Sequence, residues 1–116
     1  MELMDRDRSQ RRRLQFREVL LDILVACGQE SPHLYFEPPA SIQMQYPAIR
    51  YNRNRIMNTS ADNTIYKQDD EYTVTVIDLD PDSEIARAVS RIPKARFDRS
   101  YVQNNLHHSV FTILEK

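Results

Sequence analysis

The sequence predicts an α+β two-layer sandwich, an antiparallel or mixed sheet with two helices on one face, and three observations lead to it. Apolar residues recur at helical spacing from about Ser9 to Cys27 and again from Ile85 to Ile92. β-branched and aromatic residues dominate Tyr72 to Leu79 and recur in Ala48 to Ile56 and in two segments near the end of the chain. Proline, asparagine and the single glycine stand between these segments, where turns interrupt regular structure. The order α-β-β-β-α-β-β packs most simply with its helices against one sheet face. A chain of 116 residues can bury one modest core, so residues 1–116 read as a single domain, with an arginine-rich segment 1–13 and an extended connector 29–47.

In the first helix, Phe16, Val19, Leu20, Ile23 and Cys27 repeat every three or four residues, and Leu14, Leu21 and Val25 widen the apolar surface into a broad buried face. Gly28 follows the last apolar position, where a left-handed capping residue stops a helix. Pro32, Pro38, Pro39 and Pro47 then keep the connector extended and out of regular pairing. Ala48 to Ile56 is expected as a strand, Asn58 to Thr64 as a polar loop, Ile65 to Lys67 as a short strand, and Tyr72 to Leu79 as the strongest strand. Asp80 followed by Pro81 suggests an N-cap and a first helical residue, and Pro93 ends that helix after about three turns. Ala95 to Tyr101 and Leu106 to Leu114 complete a hairpin around Gln103-Asn104-Asn105. The expected core comprises Leu20, Ile23, Leu24, Val74, Val76, Ile85, Val89, Phe111 and Ile113.

No apolar run approaches the roughly 20 residues that cross a bilayer, so the expectation is a soluble protein without a membrane partner. Nor does a secretory cleavage site follow the apolar stretch Val19 to Cys27. One cysteine forms no internal disulfide, which fits a reducing cytosol. The net charge of −1 gives no overall attraction to nucleic acid, yet the charges are segregated. Arginines crowd residues 6–13; Arg50, Arg53 and Arg55 form a second basic stretch; Asp69 to Glu84 holds seven acids, including Asp69, Asp70 and Glu71, with no lysine or arginine. Neither stretch is expected to be fully paired within a monomer, and if the strands carrying them lie at different sheet edges, they would serve head-to-tail self-association.

Candidates for chemistry are few. Asp78, Asp80, Asp82 and Glu84 offer hard oxygen ligands, but a calcium loop counted from Asp78 needs glycine and glutamate where Ser83 and Val89 stand. A strand end and a capped helix start explain the same residues. His107 and His108, adjacent on a strand, point to opposite faces and do not share a metal. His33 is isolated, no serine or cysteine sits in a nucleophile motif, and one glycine does not build a phosphate loop. The reading is therefore a non-enzyme without cofactor. The N-terminal arginines suit phosphate contacts, although terminal charge runs are usually solvated. Tyr46, Tyr51, Tyr66, Tyr72 and Tyr101 fall mostly in strands, where packing is the simpler role.

Four strings, in order, resemble the tail-terminator (tail-completion) proteins of tailed phages: Tyr46-Pro47-Ala48-Ile49-Arg50-Tyr51; Ala61-Asp62-Asn63; Tyr72-Thr73-Val74-Thr75-Val76-Ile77-Asp78 with Asp80-Pro81-Asp82-Ser83-Glu84-Ile85; and Phe97-Asp98-Arg99 with Asn105-Leu106 and His108. They lie within Tyr46 to Phe111, over half the chain. The family's turn before the last strand is aspartate-asparagine-leucine, where this chain has Asn104-Asn105-Leu106, a change that turn geometry tolerates. The resemblance implies a structural virion protein, made in the host bacterial cytoplasm, that forms a ring, commonly of six, on the head-proximal end of the tail tube. Implied partners are copies of itself, the major tail tube protein and the head-tail connector or stopper, with DNA passing through the lumen unread. Arg50, Arg53, Arg55, Asp69, Asp70 and Glu71 are then the candidates for the subunit interface or lumen. The competing readings are another neck or head-completion component, a small metal-dependent nuclease using Asp78, Asp80 and Glu84, and a DNA-binding accessory protein using the N-terminal arginines. Metal-dependent cleavage would single out the nuclease.

Overall fold

The computed structural model describes residues 2–29, 32–61 and 64–115, with side chains described for all of these except 2–9, 57–61, 64–68 and 115. Among them are two helices, α1 (Glu2–Ala26) and α2 (Glu84–Ser90), and five strands: β1 (Leu34–Phe36), β2 (Ala48–Ala61), β3 (Thr64–Asp78), β4 (Ala95–Gln103) and β5 (Leu106–Glu115). The strands form one mixed sheet in the order β1-β2-β3-β5-β4, parallel only between β1 and β2. The α+β class and the element order match the sequence expectation.

Local chemistry explains each boundary. At Gly28, φ of +89° lets Gly28 N–H donate to the Val25 carbonyl and Gln29 N–H to the Leu24 carbonyl, a Schellman motif that ends α1 where expected. Asn104 and Asn105 both take positive φ, +54° and +63°, between paired Gln103 and Leu106. That is the two-residue type I′ turn whose twist matches a hairpin.

Several expectations are corrected. The connector is not wholly extended and unpaired: Leu34, Tyr35 and Phe36, all good strand formers, lie parallel to Ile49, Arg50 and Tyr51 as a short edge strand. The two strands expected at Ile65 to Lys67 and Tyr72 to Leu79 are one, because Gln68 to Glu71 keep pairing with β2 despite their polarity. The loop expected over Asn58 to Thr64 shrinks accordingly, since Asn58 to Ala61 pair with Thr64, Ile65, Lys67 and Gln68; Asp62 and Asn63 lie outside the described residues. Helix α2 starts at Glu84 and spans seven residues, about two turns. Its N-cap is Ser83, whose hydroxyl accepts from Ala86 N–H at 3.3 Å, and not Asp80. The Asp78 carboxylate accepts from Asp80 N–H and that of Asp80 from Asp82 N–H, so these aspartates spend their oxygens on turns that carry the chain through Pro81.

The core joins Phe16, Leu20 and Leu24 of α1 and Ile85 and Val89 of α2 to Ile49, Tyr51, Tyr72, Val74, Val76, Phe111 and Ile113 of the sheet. Eight of the nine expected core residues belong to it, and the ninth, Ile23, is only partly buried and packs against it. Phe16 stacks on Tyr72 at 4.4 Å and meets Tyr51 edge-on at 5.9 Å, so both tyrosines are packing residues. Helix α1 buries a narrower face than expected, however, and Leu14, Val19 and Val25 are exposed. Beyond Asp70 neither β1 nor β5 accompanies the β2–β3 hairpin. Its end therefore projects as a two-stranded arm about 20 Å long.

Candidate functional site

The charged residues singled out in the sequence meet at the base of this arm. A register shift between Arg53 and Arg55 inserts Asn54 as a bulge, so Arg53 pairs with Tyr72 and Arg55 with Glu71. Without the bulge two residues separated by one would share a face; with it they point to opposite faces. Each arginine then finds its own acid. Arg53 Nε lies 3.5 Å from Asp70 Oδ2, and Arg55 donates through Nε and Nη2 to Glu71 Oε2 at 3.2 and 3.1 Å. Asn54 Nδ2 donates to Glu71 Oε1 at 2.6 Å.

Asp69, Asp70 and Glu71 are all buried. The Asn54 hydrogen bond, with Arg55, holds the Glu71 carboxyl below its usual pKa although burial opposes this. Burial also opposes the Arg53 charge, but Tyr72 and the charges of Asp70 and Glu37 raise its pKa further. Arg53 lies over the Tyr72 ring at 5.9 Å, and its backbone N–H donates to Glu37 Oε1 at 3.2 Å. Arg50 lies opposite Thr75 and lines an open cleft with Glu37, Pro38 and Asn52.

The basic and acidic stretches therefore do not lie at different edges of the sheet, the condition under which they would have joined one copy to the next, and four of their residues pair within the monomer. They occupy adjacent antiparallel strands, because strands consecutive in sequence are usually neighbours in a sheet. Arg53, Arg55, Asp70 and Glu71 thus form an internal brace.

A second feature was not singled out in the sequence. Between α2 and the β4–β5 hairpin lies a groove of about 570 Å³, with Phe97, Phe111, Val102 and Ala86 as its apolar surface and Arg87 and His107 among its polar lining. Phe97 and Val102 are exposed on edge strand β4, and Phe97 meets Phe111 edge-on at 5.5 Å. Their signal was an apolar residue at each end of an otherwise polar strand, which alternation alone does not distinguish from packing.

The other candidates have local roles. Among the described residues, no three His, Cys, Asp or Glu side chains converge as a cation site. His108 stacks on Tyr101 at 4.5 Å and its Nδ1 lies 3.0 Å from the Leu106 carbonyl, while His33 Nδ1 lies 3.3 Å from that of Pro47. Burial, with the charge of Glu84, raises the Cys27 pKa and so lowers its thiolate fraction. The side chains of Arg6 and Arg8 lie outside those described. No described helix is long and apolar enough to cross a membrane. No family model, curated protein or solved structure matches the chain.

Proposed function

We propose that this chain is a structural, ring-forming protein of a tailed-phage virion, seated at the head-proximal end of the tail tube, where it ends tube growth and joins the tail to the head connector. The observation that carries this reading is the braced two-stranded arm, which extends past the rest of the sheet and whose outer strand edges pair with no other strand among the described residues. The ion pairs at its base stiffen it where the flanking strands stop. The sequence resemblance supports the same reading: its strings cover the start of β2, the last seven residues of β3, the turns into α2, and part of each strand of the β4–β5 hairpin.

In this role the partners are copies of the chain itself, the tube protein and the connector, with DNA passing through the lumen without sequence recognition. Electron microscopy of tails assembled with and without the protein tests the proposal. Loss should give tails of uncontrolled length that fail to join heads. Normal head-joined tails in its absence would overturn it.

A further inference from the structure

Strand β4 ends one side of the sheet: it pairs with β5 alone, and no strand among the described residues covers its other edge. The bulge at Asp98 blunts the first half of that edge. From Arg99 to Gln103 the register is unbroken. Gln103 and Leu106 flank the two-residue turn and so form a hydrogen-bonded pair, and the alternation of an antiparallel ladder then turns the backbone groups of Tyr101 and Arg99 to β5 as well. The N–H and C=O groups of Ser100 and Val102 point outward, at the spacing an added strand needs.

The two faces beside this edge differ. On the helix side Phe97, Ser100 and Val102 line the groove, with Phe97 57% and Val102 62% exposed. Arg87 and Asp82 both line it, so their opposite charges offset and the apolar floor decides what fits. On the other face Arg99 lies over the Tyr101 ring at 5.9 Å and Tyr101 stacks on His108, which holds the guanidinium beside the edge without neutralising it. Arg96 pairs with Asp98 at 3.6 Å, but among the described residues no ion pair reaches Arg99 or Lys94. From Arg87 to Gln103 the chain has five basic residues and one acid, so this edge is positive although the whole chain has a net charge of −1.

We infer that the β4 edge takes an extended segment of another protein, added to the sheet as a further strand, whose side chains alternate between apolar and acidic. Its apolar side chains enter the groove beside Phe97 and Val102, and its acidic ones, on the other face, meet Arg99. Backbone hydrogen bonds to Ser100 and Val102 supply affinity, and the alternation supplies selectivity. A nucleic acid would answer the positive charge, but it has neither strand-spaced backbone groups for Ser100 and Val102 nor an apolar side chain for the groove. The site depends on this edge alone and not on a place in a virion.

Titration of the full chain with a capped peptide of about nine residues alternating valine and glutamate, followed by amide NMR, tests it. The peptide should bind saturably, shift the Ser100 and Val102 amides, and at saturation slow their hydrogen exchange by about tenfold or more. A peptide with lysine in place of glutamate should bind about tenfold more weakly or less, as should one of the same composition with its valines and glutamates in separate blocks. Arg99→Glu and Val102→Glu should each weaken binding by about tenfold or more while leaving the melting temperature unchanged. Ser100→Pro, which removes an outward N–H and no bond to β5, should weaken it likewise.

No saturable binding up to about 1 mM peptide would overturn the inference. So would equal binding of the blocked peptide, which would reduce the site to charge attraction, or a Ser100→Pro protein that binds like wild type. Protection of Ser100 and Val102 in the wild-type chain alone as its concentration rises would instead seat a second copy on the edge. Tighter binding of a single-stranded thymidine oligonucleotide to the same residues would give the patch to nucleic acid, and either result would also overturn the inference.

Discussion

Among the described residues, Glu71 is the carboxylate whose pKa folding lowers. Its carboxylate accepts from Asn54 and Arg55, and its pKa is lowered on folding. A depressed carboxylate pKa contributes stability that is fully present above the unfolded value, near 4.3 for glutamate, and is lost as pH falls through the folded value below it. Glu71→Gln keeps an oxygen for Asn54 but removes the charge. The wild type should therefore exceed Glu71→Gln in stability at neutral pH, and urea titrations should show that advantage shrinking as pH falls below about 4. An advantage independent of pH would mean that the carboxylate charge is irrelevant to the brace. The charges themselves were plain in the sequence. Their pairing was not, because a bulge at Asn54 reverses the side-chain alternation on which the face of Arg55 depends.

Among the elements, α2 shows how a local signal misleads when a second satisfies the same chemistry. Asp80-Pro81 has the residue types of a cap and first helical position, but the Asp80 carboxylate already accepts from Asp82 N–H at 2.9 Å. The helix waits for Ser83. Ser83→Ala should cost about 1 kcal/mol in urea denaturation, and Asp80→Ala distinctly less. Equal losses would return the cap to Asp80. The α1 stop and the β4–β5 turn were legible because Gly28 and the paired asparagines tolerate the positive φ that those turns demand. β1 and the arm were hidden for the converse reason. Three residues between prolines, and polar residues in a long hairpin, pair through their backbones, which side-chain patterning does not report.

For the whole molecule, the core between the helices and the sheet is the property that a single substitution destroys. Val76 lies in that core at 1% exposure, and Val76→Asp would bury an unpaired charge at a cost of several kcal/mol against a typical domain stability of about 5–15 kcal/mol. The variant should lack a cooperative thermal transition; unchanged melting would remove Val76 from the core. By itself the sequence determined the fold class, both helices and much of the core, since 3.6- and 2-residue periodicities record directly which face of each element avoids water. Only the tertiary structure decided which charges pair, how far the hairpin projects, and which apolar residues of α1 and β4 stay outside the core. Those outcomes depend on strand order, register and the width of the helix face that the sheet covers, which contacts between residues distant in sequence set and local periodicity does not encode.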